Sequence, residues 1–170
     1  MQTTIYFIRH SIPLKEYGAL DTGQSRQINN EKLILTVQGE EAARQLSLLG
    51  EFQQIDAVYS SHYVRAMATA KYIAYQNGIQ LFVDSRLGER KTGDESEAGE
   101  GFWLEQMMDP NAKCTNGESQ EEVRQRMAGA LYGILSEHEG KRVAVVSHGC
   151  AITFLLMKWC RLVSAQLEGK

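Results

Sequence analysis

The chain has 170 residues, 43% of them hydrophobic and 23% charged, which fits one globular domain over residues 1–170 with a substantial core. Its net charge of -3 excludes the broadly basic surface of nucleic-acid or membrane-surface binders, so an anionic substrate would need a local basic pocket. Three cysteines without paired spacing argue against a disulfide framework and a zinc ribbon. The first residues lack the features of a signal peptide and no stretch reaches transmembrane length, so we expect a cytoplasmic protein.

The first half of the chain alternates segments typical of strands and helices. Residues 3–8 are β-branched and aromatic, which predicts a buried strand. Residues 13–30 are polar and predict a long loop with room for a short helical turn, which makes the segment a candidate functional loop. Thr36 is the predicted N-cap of a helix that runs to about Leu49. The later predicted elements are a strand over 55–59, a helix over about 63–76 opened by Ser60 or Ser61, and a strand over 79–83.

The second half of the chain continues this alternation. Ser119 and Glu122 have the spacing of a capping box and predict a helix to about Glu137. The other predicted elements are a loop over 84–101, a helix over 102–108, a strand over 143–147 and a helix from about Cys150 to Val163. Alternating strands and helices predict an α/β fold, a three-layer α/β/α sandwich whose sheet is mostly parallel.

Charged and polar side chains follow each predicted strand. They are Arg9 and His10 after the first strand, Arg65 after the second, Glu89 after the third and His148 after the fourth. Ligands of an open α/β sheet bind beyond the carboxyl ends of its strands, so we expect these side chains to meet. Guanidinium groups match phosphate oxygens, and positive charge beside an imidazole keeps the ring neutral and nucleophilic. Glu89 is the candidate acid for a leaving alkoxide, so the sequence predicts a phosphoryl-transfer site.

Six segments resemble, in order, the motifs of the histidine phosphatase superfamily, which includes the phosphoglycerate mutases. They span nearly the whole chain, and the segment with two adjacent serines is the most specific. The segments are FIRHS at 7–11, LTVQG at 35–39, YSSHYVRAMATA at 59–70, LGE at 87–89, GES at 117–119 and VVSHG at 145–149. The resemblance implies a phosphoglycerate mutase-like fold, a mostly parallel sheet flanked by helices, with no metal and no cofactor.

The resemblance also implies a role for each of the five side chains. His10 would be the nucleophile that takes the phosphoryl group. Arg9, Arg65 and His148 would hold the phosphate, with His148 counted among the catalytic residues as well. Glu89 would act first as the general acid and later as the base.

Two positions depart from the family pattern or match it loosely. Ser11 stands where the motif has glycine, and its side chain could donate to the phosphate, so we include it among the predicted phosphate ligands. Glu89 lies in the least well matched segment, so Glu95 and Glu97 remain rival candidates for the acid.

Simpler structural interpretations exist for each of these residues. A lone histidine such as His10 or His148 is more often structural than catalytic. Arg65 could pair with a carboxylate on its own helix, and a loop glutamate such as Glu89 is usually only solvated. The occurrence of two histidines with arginines at strand ends favours a ligand role over these interpretations.

The main functional hypothesis is a phosphomonoester hydrolase that works through a covalent phosphohistidine at His10, independently of metal ions. Two alternatives stay open, a phosphoglycerate mutase-type phosphotransferase and a non-catalytic phosphate- or phosphoprotein-binding module. The length of 170 residues and the absence of a matching Trp-Asn segment after His10 favour hydrolysis over the mutase. The expected partner is a small-molecule phosphomonoester or a phosphoprotein, selected by residues within 12–32 and 90–117.

Overall fold

The computed structural model describes residues 2–18 and 23–160, which contain one parallel sheet. The strands within those ranges are β1 (Thr4–Arg9), β2 (Ala57–Ser60), β3 (Leu81–Val83) and β4 (Arg142–Ser147). They lie in the order β1-β4-β2-β3, and every pairing is parallel. The four predicted strands are therefore confirmed, with slightly different ends.

Helices occupy most of the chain between the strands. Within the described ranges they are α1 (Lys15–Gly18), α2 (Arg26–Lys32), α3 (Val37–Ser47), α4 (Val64–Asn77), α5 (Phe102–Met108), α6 (Gln120–Glu137) and α7 (Gly149–Leu156). The predicted loop over 13–30 instead contains α1 and α2. Across these same ranges, the search for a helix of sufficient length and apolar character to cross a membrane finds none.

Helix ends follow local capping chemistry where the capping side chain has no competing partner. Thr36 Oγ1 accepts from Gly39 N at 2.9 Å at the start of α3, as predicted. Ser119 and Glu122 form the predicted capping box of α6. Gly78 ends α4 with a φ of 64°, a left-handed conformation that glycine adopts at little cost.

Two predicted helix ends are wrong. Neither Ser60 nor Ser61 caps α4, whose N-cap is Tyr63 without a side-chain hydrogen bond. Both serine hydroxyls have other partners: Ser60 Oγ donates to Ser61 O at 2.9 Å, and Ser61 Oγ bonds a histidine ring. The last predicted helix stops early, because α7 covers only Gly149–Leu156, and Val163 lies outside the described residues.

Helices pack on both faces of the sheet, because successive residues of β2 and β4 point to opposite faces. Tyr59 and Val145 belong to a core shared with α6 and α7. Val58 and Val146 belong to a second core, on the other face, shared with α4. Helix α3 packs against α4 on that second face. The predicted three-layer α/β/α sandwich with a parallel sheet is therefore confirmed.

Candidate active site

The carboxyl ends of β1, β4 and β2 lie side by side at one edge of the sheet. Arg9 of β1 is in register with Ser147 of β4, and Ser60 of β2 is in register with Val146. The backbone continues this alignment past the strands, because His10 N donates to Ser147 O at 3.0 Å. The side chains that follow these strands therefore meet at one edge.

The ring of His10 is partly buried and held in one tautomer. Its Nδ1 lies 2.7 Å from the carbonyl oxygen of Ser11, which can only accept, so Nδ1 carries the proton and Nε2 keeps its lone pair. Burial lowers the pKa of His10 to about 4; the Ser11 hydrogen bond opposes this effect, and the charges of Arg65 and Arg9 add to it. Near neutral pH the ring is uncharged and offers one unprotonated nitrogen.

His148 is fully buried next to His10, and the centroids of the two rings are 5.1 Å apart. Arg65 Nη2 lies 3.3 Å from His148 Nδ1, and because a guanidinium only donates, Nδ1 is the acceptor. The proton is therefore on Nε2, which donates to Ser61 Oγ at 2.7 Å. Burial, followed by the charges of Arg65 and His10, lowers the pKa of His148 to about 2, so this ring is also neutral.

Two guanidinium groups face the histidine pair. Arg65 is 4% exposed, its Nη1 donates to Asn30 O, and burial lowers its pKa. Arg9 is exposed, and its Nε lies 3.5 Å from the position that a Cβ on Gly149 would take. Both arginines act electrostatically on His10. Two positive charges beside two neutral imidazoles make the site suitable for a dianion such as a phosphate ester.

The side chain of Glu89 contacts the start of α7, where it faces backbone N–H groups. Its Oε1 accepts from Arg90 N at 2.8 Å and from Ala151 N at 3.0 Å, and its Oε2 accepts from Cys150 N at 3.3 Å. These donors fix the position of the Glu89 side chain against the first turn of α7. Glu89 is also close enough to Arg65 to raise the pKa of that guanidinium against the effect of burial.

Glu97, one of the two rival acids, does not share this position. Glu97 is exposed, and its Oε2 accepts from Thr115 N at 2.7 Å, on the loop that precedes α6. The side chain of Glu95 lies outside the part of the structure that is described. Of the two described candidates, Glu89 is the one that contacts the start of α7 beside the histidine pair.

Ser11 uses both of its donors inside the protein. Its N–H donates to Thr69 Oγ1 at 2.9 Å, and its hydroxyl donates to Gly39 O at 2.7 Å. These two bonds connect the segment after β1 to α4 and α3. The backbones approach closely here, since a Cβ on Gly39 would lie 2.4 Å from Ile12 O. The geometry therefore does not support the predicted phosphate-binding role of Ser11, and we leave it out of the phosphate ligands below.

A sequence profile of the histidine phosphatase superfamily (branch 1) matches residues 5–168. The chain belongs to this superfamily. A protein of Erwinia tasmaniensis named probable phosphoglycerate mutase GpmB is 32% identical over 161 residues, which cover 89% of this chain and 72% of that protein. A protein of Cronobacter sakazakii with the same name is 31% identical over 162 residues, with the same coverage.

Solved structures share the fold of this histidine phosphatase. A mycobacterial glucosyl-3-phosphoglycerate phosphatase has a TM-score of 0.72 at 22% identity, with 89% of this chain and 76% of that chain covered. A phosphoserine phosphatase from Entamoeba histolytica has a TM-score of 0.71 at 22% identity, with 92% and 81% covered. The family match confirms the prediction of an enzyme of the histidine phosphatase type, and these structures confirm its fold.

The sequence analysis misses the residue that holds the Glu89 segment of this histidine phosphatase in place. Arg126 of α6 donates to the carbonyl oxygens of Arg86, Gly88 and Glu89 at 2.7, 2.9 and 3.0 Å. The same guanidinium makes two bonds of 2.7 and 2.8 Å to the carboxylate of Glu118. The GES motif is therefore more than a helix start, because its glutamate orients Arg126. No local pattern indicates a bond to carbonyl groups so far away along the chain.

Helix α2 adds two contacts that the sequence analysis also misses. Gln27 Nε2 donates to Tyr63 Oη at 2.7 Å, and the Tyr63 ring lies edge-on to His148, with centroids 4.5 Å apart. Burial raises the pKa of Tyr63 to about 12, so the phenol stays protonated. Because Asn30 of the same helix binds Arg65, the predicted functional loop does reach the histidine phosphatase site.

Cys150 at the start of α7 is a poor nucleophile. Burial, followed by the negative charge of Glu89, raises the pKa of its thiol to about 11. This agrees with a packing role rather than a catalytic one. Within residues 2–18 and 23–160, no group of three or more histidine, cysteine, aspartate or glutamate side chains is arranged to hold a metal ion.

Proposed function

We propose that the protein hydrolyses phosphomonoesters through a covalent phosphohistidine at His10, without a metal ion. The observation that supports this most strongly is the tautomer of His10. Its Nδ1–H donates to Ser11 O, so the Nε2 lone pair is available next to Arg65 and His148. A neutral imidazole fixed in this way is an effective nucleophile for phosphorus.

In the first step, His10 Nε2 attacks the phosphorus atom and the bond between phosphorus and the ester oxygen breaks. The departing alkoxide takes a proton from the Glu89 carboxylic acid, which leaves Glu89 as a carboxylate. The backbone donors from α7 and Arg90 then stabilise the carboxylate that forms.

Arg9, Arg65 and His148 hold the phosphoryl oxygens during transfer, where negative charge is spread over the equatorial positions. To bind the phosphate, His148 must carry its proton on Nδ1. In the free protein this nitrogen has no proton and accepts a hydrogen bond from Arg65. The Ser61 hydroxyl makes this change feasible, because it can donate to Nε2 as readily as it accepts from it. The neutral ring can therefore switch tautomer without leaving its position.

In the second step, a water molecule attacks the phosphorus atom of the phosphohistidine and gives its proton to the Glu89 carboxylate. The bond between phosphorus and Nε2 breaks, and its electron pair returns to His10. Inorganic phosphate leaves, and the acid form of Glu89 is restored for the next turnover. The sum of the two steps is an ester plus water giving an alcohol plus phosphate, so no metal ion or cofactor enters the balance.

The test is phosphate release from simple phosphomonoesters with a chelator present. We expect His10→Ala to lower kcat by at least roughly 10³-fold, because the nucleophile is lost. A matched control is His138→Ala. It removes a histidine outside the site, whose ring bonds Tyr59 Oη over a distance of 2.9 Å. Chelator-sensitive turnover, or full activity of His10→Ala, would contradict the proposal.

Glu89→Gln separates hydrolysis from simple phosphate binding. We expect kcat for alkyl phosphates to fall by roughly 10²- to 10⁴-fold, since an alkoxide needs the acid. The loss should be much smaller with p-nitrophenyl phosphate, whose phenolate leaves without a proton. Glu97→Gln is the matched control, because Glu97 is exposed and its carboxylate accepts from Thr115 N, whereas Glu89 accepts from the start of α7. A binding module would release no phosphate and would not depend on Glu89.

The mutase alternative has support from the names of the two relatives, both probable phosphoglycerate mutases. Incubation with 3-phosphoglycerate decides between the two activities, because a mutase forms 2-phosphoglycerate and a phosphatase forms glycerate and phosphate.

We also propose a cytoplasmic location, which suits the three free cysteines.

A further inference from the structure

A cavity of about 760 Å³ lies beside the His10 centre. Its wall includes Gln27 and Asn30, which bond Tyr63 and Arg65 of the site. This volume is within the usual range of small-molecule sites and is far larger than a phosphate group needs. Through these contacts the cavity adjoins Arg65, so it can take the alcohol part of an ester whose phosphate is bound there.

Nearly every side chain in the lining of this cavity carries a polar or charged group. Ten of the described residues line it, and none of them has an aromatic ring or a purely hydrocarbon side chain. Small-molecule pockets are usually lined mainly by apolar and aromatic groups. Among these ten residues, a nucleobase or an aryl group finds no ring on which to stack. Amide, hydroxyl and carboxylate groups such as those of Gln27, Thr92, Asp94 and Asn116 can instead bond several hydroxyl groups of one ligand.

Part of the cavity wall is a rigid pair of loops. Asp94 N donates to Thr115 O at 2.9 Å, which joins the loop before α5 to the loop before α6. A Cβ on Gly93 would lie 2.4 Å from Gly117 N and 2.4 Å from Thr115 O, so the two backbones are in direct contact. The two backbones of this wall are already joined before a ligand binds, which reduces the entropy cost of ordering them around a ligand.

The charged groups of the lining narrow the choice of ligand. Arg26 and Lys91 provide two positive charges, and Asp94 provides one negative charge. The Asp94 carboxylate already accepts from Ser96 N at 3.1 Å and from Ser96 Oγ at 2.7 Å. Two positive charges against one negative charge favour a neutral or acidic ligand over one with an ammonium group, because opposite charges attract and like charges repel.

We propose that the leaving group of the substrate is a polyhydroxylated alcohol of sugar size, so that the enzyme acts on sugar or polyol phosphates. This inference rests on the proposed function of the His10 centre and names its substrate class. The phosphate binds at Arg9, Arg65 and His148, and the hydroxyl groups of the alcohol bond the cavity lining. Nucleotides, aryl phosphates and phosphorylated amino alcohols are poor substrates in this arrangement.

The test compares kcat/KM of the natural chain for glucose 6-phosphate, 6-phosphogluconate, adenosine 5′-monophosphate, phenyl phosphate and phosphoserine. We expect at least one of the two sugar esters to exceed the other three compounds by roughly tenfold or more. A difference of that size corresponds to one or two well-placed hydrogen bonds. A preference for the nucleotide, the aryl ester or the amino acid ester would overturn the inference.

The double variant Lys91→Met and Thr92→Val tests the lining itself. It replaces two polar lining groups by apolar groups of similar shape. We expect the ratio of kcat/KM for the better sugar ester to kcat/KM for phenyl phosphate to fall by roughly tenfold. The control is Lys141→Met, because Lys141 precedes β4 and pairs with Asp56 at the opposite edge of the sheet. An unchanged ratio in the double variant would show that the lining does not select the substrate.

Failure of this inference can be told apart from failure of the proposed function. If phenyl phosphate is hydrolysed through His10 but sugar esters are not preferred, only the substrate class is wrong. If no ester is hydrolysed, the proposed function is wrong, and calorimetric titration of glucose 6-phosphate and adenosine 5′-monophosphate into the natural chain decides on the cavity. Tighter binding of the sugar ester would support the inference, and equal or weaker binding would overturn it.

Discussion

Ser11 has a different use in this protein from the glycine that the family motif places there. Its carbonyl accepts from His10 Nδ1, its N–H binds Thr69, and its hydroxyl binds Gly39. The residue that fixes the tautomer of the nucleophile is thus itself held by two helices. We therefore consider Ser11 a positioning residue that acts through His10 rather than a ligand of the phosphate.

Removal of the Ser11 hydroxyl should affect the rate more than substrate binding. In Ser11→Ala the bond to Gly39 is lost, which is worth about 1 kcal/mol, and the carbonyl that orients His10 gains freedom. We expect kcat to fall roughly 5- to 10-fold with little change in KM. We also expect the acid limb of the pH–rate profile to shift, because the environment of His10 changes. Steady-state kinetics across pH will measure both.

Ser47→Ala is a matched control for this variant. The Ser47 hydroxyl also donates to a backbone carbonyl at 2.7 Å, that of Arg44 on α3, but far from His10. We expect it to lower stability by a similar amount and to leave the rate and the pH profile unchanged. Equal kinetics of the two variants would contradict the positioning role of Ser11.

At this scale the sequence predicts residue types better than it predicts hydrogen-bond partners. Arg9 is the last residue of β1, and His10, Arg65 and His148 follow strand ends, so the rule for parallel sheets is enough to bring the four together. Ser11 is different, because its partner Gly39 is 28 positions away along the chain and is a backbone atom. A side chain that binds a remote carbonyl leaves no periodic or spacing pattern to detect.

Helix α6 supports the site at a distance through Arg126. This side chain spans from the Glu118 carboxylate to the carbonyl groups around Glu89, and it is only 19% exposed. Burial alone would raise the pKa of Glu118, but the hydrogen bonds from Arg126 and from Lys91 N lower it, so the pair is ionised. The position of the acid thus depends on an element that contributes no group to the chemistry.

Arg126→Met should weaken catalysis and stability together. The substitution leaves the Glu118 carboxylate half-buried without its partner, which we expect to cost roughly 2 kcal/mol, less than a fully buried pair would. Loss of the bonds at Arg86, Gly88 and Glu89 should lower kcat for alkyl phosphates at least roughly tenfold. Urea unfolding and kinetics with alkyl and p-nitrophenyl phosphates will measure the two effects.

Arg44→Met provides the comparison for an exposed ion pair. Arg44 pairs with Glu41 on α3, and the two side chains are 49% and 54% exposed. Solvent screens such a pair, so we expect almost no change in stability or rate. If Arg126→Met behaved like Arg44→Met, the support of the Glu89 segment by α6 would be refuted.

Element boundaries are predictable where capping is local. Thr36 and the Ser119–Glu122 box satisfy N–H groups three residues away, so the sequence is sufficient to place them. The start of α4 is not predictable in this way, because the Ser61 hydroxyl bonds His148, the residue that precedes α7. The helix α2 is missed because its polar residues have no apolar face, and it is held by contacts to Tyr63 and Arg65.

The molecule as a whole keeps two histidines neutral in its interior, and this makes its stability depend on pH. Histidine in an unfolded chain titrates near 6.5, whereas burial lowers the pKa of His10 to about 4 and that of His148 to about 2. Between these folded values and about pH 6.5 the unfolded chain binds more protons than the folded one. The free energy of unfolding therefore rises with pH across this window and falls on acidification.

Urea unfolding at about pH 7.5 and about pH 5.5 tests this dependence. We expect a loss on the order of 1 kcal/mol per histidine on going to the lower pH. His148→Gln should lose less over the same interval, because it removes one of the two groups and a carboxamide can still bond Ser61. Carboxylates with lowered pKa values, such as Glu118, lose their contribution only at more acidic pH. An identical pH dependence in His148→Gln would contradict this account.

The overall architecture is the feature that the sequence predicts best. The shape of the cavity beside the site is the feature that it predicts least well. Strand–helix alternation gives the layers and the parallel sheet directly. The cavity is lined by residues 25–30 and by the loop at 91–96, and that loop is held against the loop before α6 by the direct approach of Gly93 and Gly117. Steric fit between two remote glycines has no counterpart in local sequence, so the shape of the cavity follows only from the structure.

The ranking of the three thiols has a practical consequence for labelling. Cys114 is buried, and the thiol of Cys150 has a pKa of about 11, so its thiolate fraction at neutral pH is on the order of 10⁻⁴. Cys160 is exposed and lies just beyond α7. A maleimide dye or a nitroxide spin probe would therefore attach at Cys160 of the natural chain, which provides a single spectroscopic reporter while the groups around His10 stay unmodified.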